Sequence, residues 1–350
     1  MDVLILAVAF VVILIGAELF TNGIEWFGRK LELAEGAVGS VLAAVGTALP
    51  ETMIPIIAIL TGGGSEASHG IGVGAILGAP FMLSTLAMFV TGAAVLFVGR
   101  NRPGRSEMPV DTGVLAHDMR YFAVAYGIAI AAAFLPIEPA WPKWVVALVL
   151  IAIYGWYVKG HFEDDPSVDA EDLAPLRFRR LDPAGHAANP AVPRLRVVNL
   201  QVAAALAFIV VGAFFFVDAV GRLSSTLGLD PALLALVIAP IATELPEKFN
   251  SVIWIRQGKD TLAMGNITGA MVFQSTIPTV VALLFAADAW RFTDDSRLAF
   301  GSAAIAFASS ALIFIPMARA GRLTGRRLLV GGAFYLVYLV VVIAALAGLV

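Results

Sequence analysis

Two matching hexapeptides, GTALPE ending at Glu51 and ATELPE ending at Glu247, each lie inside a long apolar stretch. A carboxylate near the middle of a membrane helix is costly, so such groups are rare and serve ions, protons or a partner charge. Here one occurs twice, at corresponding places in the two halves of one chain. That pattern predicts an internal duplication with an ion site between the repeats.

The membrane class follows from composition, with 59% hydrophobic and 14% charged residues in a chain of 350. A membrane helix needs about 20 mainly apolar residues. Ten spans are expected, at 2–27, 37–60, 70–98, 121–136, 141–159, 199–222, 232–256, 262–287, 298–317 and 327–349. The fourth is the shortest. The opening MDVLILAVAF lacks a basic n-region and runs on into GAELFTNGIEWFG, so it reads as the first span rather than a cleaved leader. Little chain is left for a soluble catalytic domain, and no nucleophile–base constellation is visible, so the chain does not read as an enzyme. Zero cysteines exclude disulfide and thiolate chemistry. His69, His117, His161 and His186 form no metal-ligand spacing, and no GxxxxGK[ST] nucleotide motif is present. Neither nucleotide, nucleic acid nor cofactor is expected, leaving an ion gradient as the energy source. Oligomeric state is not legible.

Lysine and arginine placement predicts the orientation. Most of the 23 basic residues fall in one set of alternate loops, including Arg29, Arg100, Arg120, Lys159, Arg256 and Arg319. Lys143, Arg222, Arg291 and Arg297 fall in the other set, and Lys248 lies within a span. The basic set is assigned to the cytoplasm, which puts both termini outside a bacterial-type inner (plasma) membrane.

Aligning Glu51 with Glu247 carries Gly16 onto Gly212, Phe20 onto Phe216 and Ala43 onto Ala239 without a gap. Farther on the register shifts, and GAILGAPFMLST from Gly74 resembles GNITGAMVFQST from Gly265. Each half holds five spans. An odd number makes the second half enter from the opposite side. The expected fold is therefore an all-α integral membrane protein of ten transmembrane helices in two inverted five-helix repeats, 1–159 and 199–350. A Pro-, Asp- and Arg-rich cytoplasmic linker at 160–198, read as solvated, joins them.

Within each motif, Thr47 and Glu51, like Thr243 and Glu247, are four apart and share a helix face. Pro50 cannot bond the carbonyl of Gly46, nor Pro246 that of Ala242. Broken helices at midplane expose such carbonyls, and hard cations prefer oxygen ligands. Each half thus supplies a carboxylate, a hydroxyl and a carbonyl. Two glutamates in one volume repel unless a cation or proton lies between them. Glu244 stands three residues before Glu247 and four before Lys248, so it suits either the ion site or an ion pair. Glu18 reads best as an interhelical contact, and Asn22 and Asp218 as structural.

These motifs resemble the α-repeats of the cation/calcium exchanger superfamily, best known for sodium/calcium exchangers. Its members typically carry GTSLPE in the second helix of each half, and GNxxGSN or GSD in the third. The resemblance implies electrochemically coupled cation antiport by alternating access, most simply calcium against sodium. It implies Glu51 and Glu247 as divalent ligands, with Thr47 and Thr243 supplying sodium-site oxygens. The chain departs from the pattern at Ala48, Glu244, Pro80 and Met271, each of which replaces a typical oxygen ligand. Ser84, Ser275, Gln274 and Asn266 are the nearby candidates to compensate. Proton-coupled cation exchange, and a passive channel or structural protein with a degenerate repeat, remain open alternatives.

Overall fold

The computed structural model describes residues 1–30, 49–62, 64–98, 107–164, 174–181, 193–256, 258 and 260–346. Helix α1 (Asp2–Lys30) is followed by α2 (Leu49–Thr61) and α3 (Glu66–Met82). Helix α3 passes through a π-helical segment, Leu83–Ala87, straight into α4 (Met88–Val98). Next come α5 (Thr112–Ala131), α6 (Trp141–Asp164), a 3₁₀ turn at Arg177–Leu181 and α7 (Leu195–Leu227). The chain continues with α8 (Pro231–Arg256), α9 (Asp260–Phe285), α10 (Arg297–Ala320), α11 (Gly325–Leu328) and α12 (Val330–Leu346). The two-residue strands β1 (Glu107–Met108) and β2 (Leu323–Thr324) pair antiparallel.

Seven helices among the described residues are long and apolar enough to cross a membrane, and two shorter apolar helices start at Glu51 and Pro231. Of the span expected at 37–60, residues 37–48 lie outside the described residues. That expected at 232–256 is helical throughout, but charges at Glu244, Glu247 and Lys248 interrupt its apolar character. The weakest expected span belongs to a longer helix than its hydropathy suggests. It starts at Thr112, where the Asp111 carboxylate accepts from the amides of Gly113 and Val114.

Helices α1 and α7 pack along each other more extensively than any other pair. A methyl group at Gly16 would come within 2.8 Å of Ile209 Cγ1 and 3.0 Å of the Ala205 oxygen. One at Gly212 would come within 2.7 Å of Ile13 Cγ1 and 3.1 Å of the Ala9 oxygen. All of these residues are related by the offset that carries Glu51 onto Glu247. As α1 advances from Ile13 to Gly16, its partners on α7 run back from Gly212 to Ile209, so the two helices are antiparallel. The glycines admit close backbone approach, as small residues do in membrane bundles. Gly16→Ala and Gly212→Ala should each cost about 1–3 kcal/mol through overpacking. Thermal unfolding in detergent checks this, and a large loss at only one position would contradict their equivalence.

Both ends of this pair are fastened. At one end Arg222 bonds Asp2 at 2.8 Å and also pairs with Asp218. At the other, part of the linker docks. Asn22 and Trp26 donate to the carbonyl of Ala174 at 3.1 and 2.9 Å. Asn22 Oδ1 accepts from the Arg177 amide, and Gln201 Oε1 from that of Phe178. Leu176 is buried against Trp26, Val197 and Val198. Within 174–181 the Leu176 side chain is buried and Phe178 half-buried against α1 and α7, while the other six residues are exposed, as in a solvated linker.

Helices α2 and α3 are antiparallel neighbours, and α3 lies parallel and very close to α8. Gly74 faces the Ala232 carbonyl and Gly78 the Leu236 carbonyl. Pro240 has no amide hydrogen to bond that second carbonyl. Ile54 and Ala58 of α2, Ile71 and Ala75 of α3, Phe216 of α7, and Ala235 and Ala239 of α8 form one apolar cluster. Helix α9 packs on α2, α3, α5, α6 and α8. Lys143, fully buried, donates to the carbonyls of Ala287 and Trp290 just beyond the C-terminus of α9. The negative end of that helix dipole favours a cation there.

Candidate cation site

Helices α2, α3, α8 and α9, the second and third of each half, meet in the middle of the bundle. Helix α2 carries Glu51 in its first described turn, and the side chain is only 5% exposed. Pro55, one turn on, has no amide to bond the Glu51 carbonyl. A buried carboxylate is therefore accompanied by a backbone oxygen on the same residue. On α8, Thr243 is 1% exposed and donates to the Ala239 carbonyl at 3.1 Å.

The backbone of α8 remains helical from Pro231 to Arg256, straight through Pro246. The expected helix break is absent there. Neighbouring helices in a bundle can support a membrane helix across a proline. The side chains of Ala242, Glu244, Glu247 and Lys248 lie outside the described residues, as do Gly46 and Thr47 entirely.

Ser84 and Ser275 are fully buried, Gln274 almost so, and Asn266 is half-buried. Their neighbourhoods repeat in detail. Ser84 and Thr85 both donate to the Phe81 carbonyl, at 3.0 and 2.5 Å. Ser275 and Thr276 both donate to the Val272 carbonyl, each at 2.9 Å. A hydroxyl that gives its proton to its own helix keeps lone pairs for an outside partner. In the first half this pair lies in the π segment, where Ser309 donates to the Ser84 carbonyl at 2.6 Å. Pro80 and Met271 are both buried and bring no side-chain oxygen. Among the described residues no cluster of three or more His, Cys, Asp or Glu is found.

Sequence reasoning missed Asp118. This carboxylate on α5 is 1% exposed and accepts from Tyr157 Oη at 3.0 Å and Thr268 Oγ1 at 2.5 Å. Thr268 belongs to the GNITGAM stretch, so Asp118 ties that segment of α9 to α5 and α6. The residue fell just before the expected span at 121–136, and its hydroxyl partners are distant in sequence. Glu18 stands apart from the site, in an exposed pair with Arg177 at 2.6 Å. His69 lies 3.7 Å from Asp288, beyond the end of α9.

The arrangement combines a buried carboxylate with hydroxyls and proline-released carbonyls on helices that correspond between the halves. Such an oxygen set suits a hard cation.

Comparison with known proteins agrees. The family described as sodium/calcium exchanger protein matches residues 1–160 and 198–347. "Putative antiporter CaxA" of Alkalimonas amylolytica is 25% identical over 272 residues, spanning 76% of this chain and 75% of that protein. Inner membrane protein YrbG of Escherichia coli is 24% identical over 243 residues, spanning 69% of this chain and 66% of the other. Among solved structures, that of the H+/Ca2+ exchanger CAX superposes with a TM-score of 0.71 at 16% identity, covering 97% of this chain and 81% of that one. The sodium-calcium exchanger NCX_Mj superposes with a TM-score of 0.58 at 16% identity, covering 97% of each chain. These two likenesses speak for the fold. The matched segments, one on each side of the linker, identify the chain as a member of the sodium/calcium exchanger family, multi-pass membrane cation antiporters rather than enzymes.

Proposed function

We propose that this protein is a secondary-active antiporter that exchanges a divalent cation, calcium, against sodium by alternating access. The observation that carries the reading is Glu51, a carboxylate buried on a helix of the central four. Glu51 and Glu247, one per repeat, are the principal ligands. Thr47 and Thr243 add hydroxyls, and Gly46 and Ala242 add carbonyls freed by proline. Glu244, Ser84, Ser275, Gln274 and Asn266 complete the oxygen set. A divalent ion neutralises both glutamates, and so do two sodium ions, which makes the two loads interchangeable in charge.

The architecture proposed is ten spans in two inverted repeats, 1–159 and 199–350, joined by 160–198, with both termini on the extracytoplasmic side of the inner membrane. Its support is the antiparallel packing of the corresponding helices α1 and α7, and the Ser-Thr hydrogen bonding repeated in the π-helical segment after α3 and in α9. Two mirrored halves can exchange inward- and outward-facing shapes around one site.

A second reading, proton-coupled exchange, is favoured by one observation. Pro80 and Met271 are buried where relatives typically place oxygen ligands, and a carboxylate binds a proton unaided. Proteoliposomes separate the two. An outward sodium gradient at fixed pH should drive calcium-45 accumulation, with no proton gradient required. Accumulation that follows a proton gradient and ignores sodium would select the second reading.

A further inference from the structure

Away from the cation site, α5 and α10 enclose a groove of about 470 Å³ on the outside of the bundle. The two helices run antiparallel, because the strand before α5 pairs with the strand after α10. Phe122 and Phe307 meet across the groove with ring centroids 5.8 Å apart. Phe314 also lines it, while Ala123 and Ile315 are exposed on its rim, so in a membrane it opens to lipid.

Three polar groups interrupt the apolar lining. Arg120 and Arg319 are exposed, and neither forms an ion pair or hydrogen bond among the described residues. Arg177, Arg222 and Arg322, by contrast, pair with Glu18, with Asp2 and Asp218, and with Glu107. The third group is Ser310, which is 5% exposed and whose hydroxyl makes no hydrogen bond among the described residues. Ser302 and Ser309 on the same helix both donate to carbonyls. From the Phe122–Phe307 contact, the antiparallel register sets Arg120 level with Ser310. Arg319 lies nine residues farther along α10, about 13 Å at 1.5 Å per residue.

The geometry points to a binding site for one anionic glycerophospholipid, with an acyl chain along Phe122 and Phe307, the ester region at Ser310 and the phosphate between Arg120 and Arg319. The charge argument selects this occupant. Two guanidiniums without an ion pair among the described residues, beside an apolar trough, match a ligand that joins a phosphate to a hydrocarbon chain. An uncharged lipid would leave both cations unanswered, and a free phosphate would leave the trough unfilled. The site is separate from the transport glutamates and stands whichever ion couples exchange.

The test uses the full chain, purified in detergent and stripped of lipid. Dioleoyl phosphatidylglycerol and dioleoyl phosphatidylcholine share their chains and differ in headgroup charge. Native mass spectrometry should show one phosphatidylglycerol retained on the order of 10- to 30-fold more tightly than phosphatidylcholine, from two basic residues facing an anionic headgroup. Arg120→Gln with Arg319→Gln should remove that preference and leave the lipid-free melting transition in place. Ala311→Phe, which narrows the trough, should weaken retention of both lipids. Glycerol phosphate without chains should not compete. Equal retention of the two lipids by the wild-type protein, an unchanged preference in the double variant, or full competition by glycerol phosphate would each overturn the proposal.

Discussion

Glu51→Gln is expected to lower calcium exchange by about 100-fold or more while the protein still inserts and folds. Loss of an outer-shell partner alone costs about 10–100-fold at metal sites, and a direct ligand should cost at least as much. Glutamine keeps the volume of the buried side chain and a carbonyl oxygen, so the packing of α2 against α3 and α7 is not disturbed. What disappears is the negative charge. With one carboxylate left, a divalent ion is no longer balanced, and the empty site no longer needs a cation to relieve repulsion. Glu247→Gln should behave alike. Calcium-45 flux into proteoliposomes reads the effect, and the melting transition in detergent controls for folding. Wild-type transport by either variant would remove the carboxylate site.

Gly74→Ala is expected to fail for a different reason. A β-carbon there would lie 2.0 Å from the Ala232 carbonyl oxygen and 2.8 Å from its carbon. At Gly78 it would lie 2.3 Å from the Leu236 oxygen. Those atoms are backbone within a helix and cannot swing aside as a side-chain tip can, so α3 and α8 must separate. Overpacking in a tight core costs about 1–3 kcal/mol and sometimes more, and here the upper end or beyond is expected. Because α8 carries proposed ligands and α3 leads straight into the π-helical segment that carries Ser84, transport should fall together with the melting temperature. Gly127→Ala is the control. Outside its own stretch of helix no described atom lies within 4 Å of the added carbon, and the gain in helix propensity is about 1 kcal/mol. Equal thermal stability of Gly74→Ala and the wild type would show that the two helices are not in the contact described.

Much of this organisation could be read from particular residues. Gly16 and Gly212 align by offset alone, and the structure seats them in mirrored contacts on each other's helix. The buried Glu51, Ser84 and Ser275 were likewise accessible, because an apolar stretch exposes its few polar residues to view. Other features were not legible, for identifiable reasons. Asp118 depends on Thr268 and Tyr157, and no local pattern links partners that distant. Docking within 174–181 rests on Leu176, Phe178 and backbone hydrogen bonds to Asn22, Trp26 and Gln201, in a linker whose overall composition is polar. The uninterrupted α8 reflects support from neighbouring helices, which outweighs the local effect of Pro246. The start of α5 nine residues before its apolar run is set by an Asp111 cap rather than by hydropathy.

The fastening of α1 to α7 limits the ways this molecule can change shape. Sliding one past the other would strip Arg222 from Asp2, break the bond that Gln201 Nε2 donates to Asn22 Oδ1 at 3.0 Å and drive Ile13 and Ile209 out of their notches at Gly212 and Gly16. Rotation of the couple as a single beam breaks none of these. Any passage between open faces must therefore be taken up where the beam rests on its supports, against α2 and α8, beside the proposed ligands.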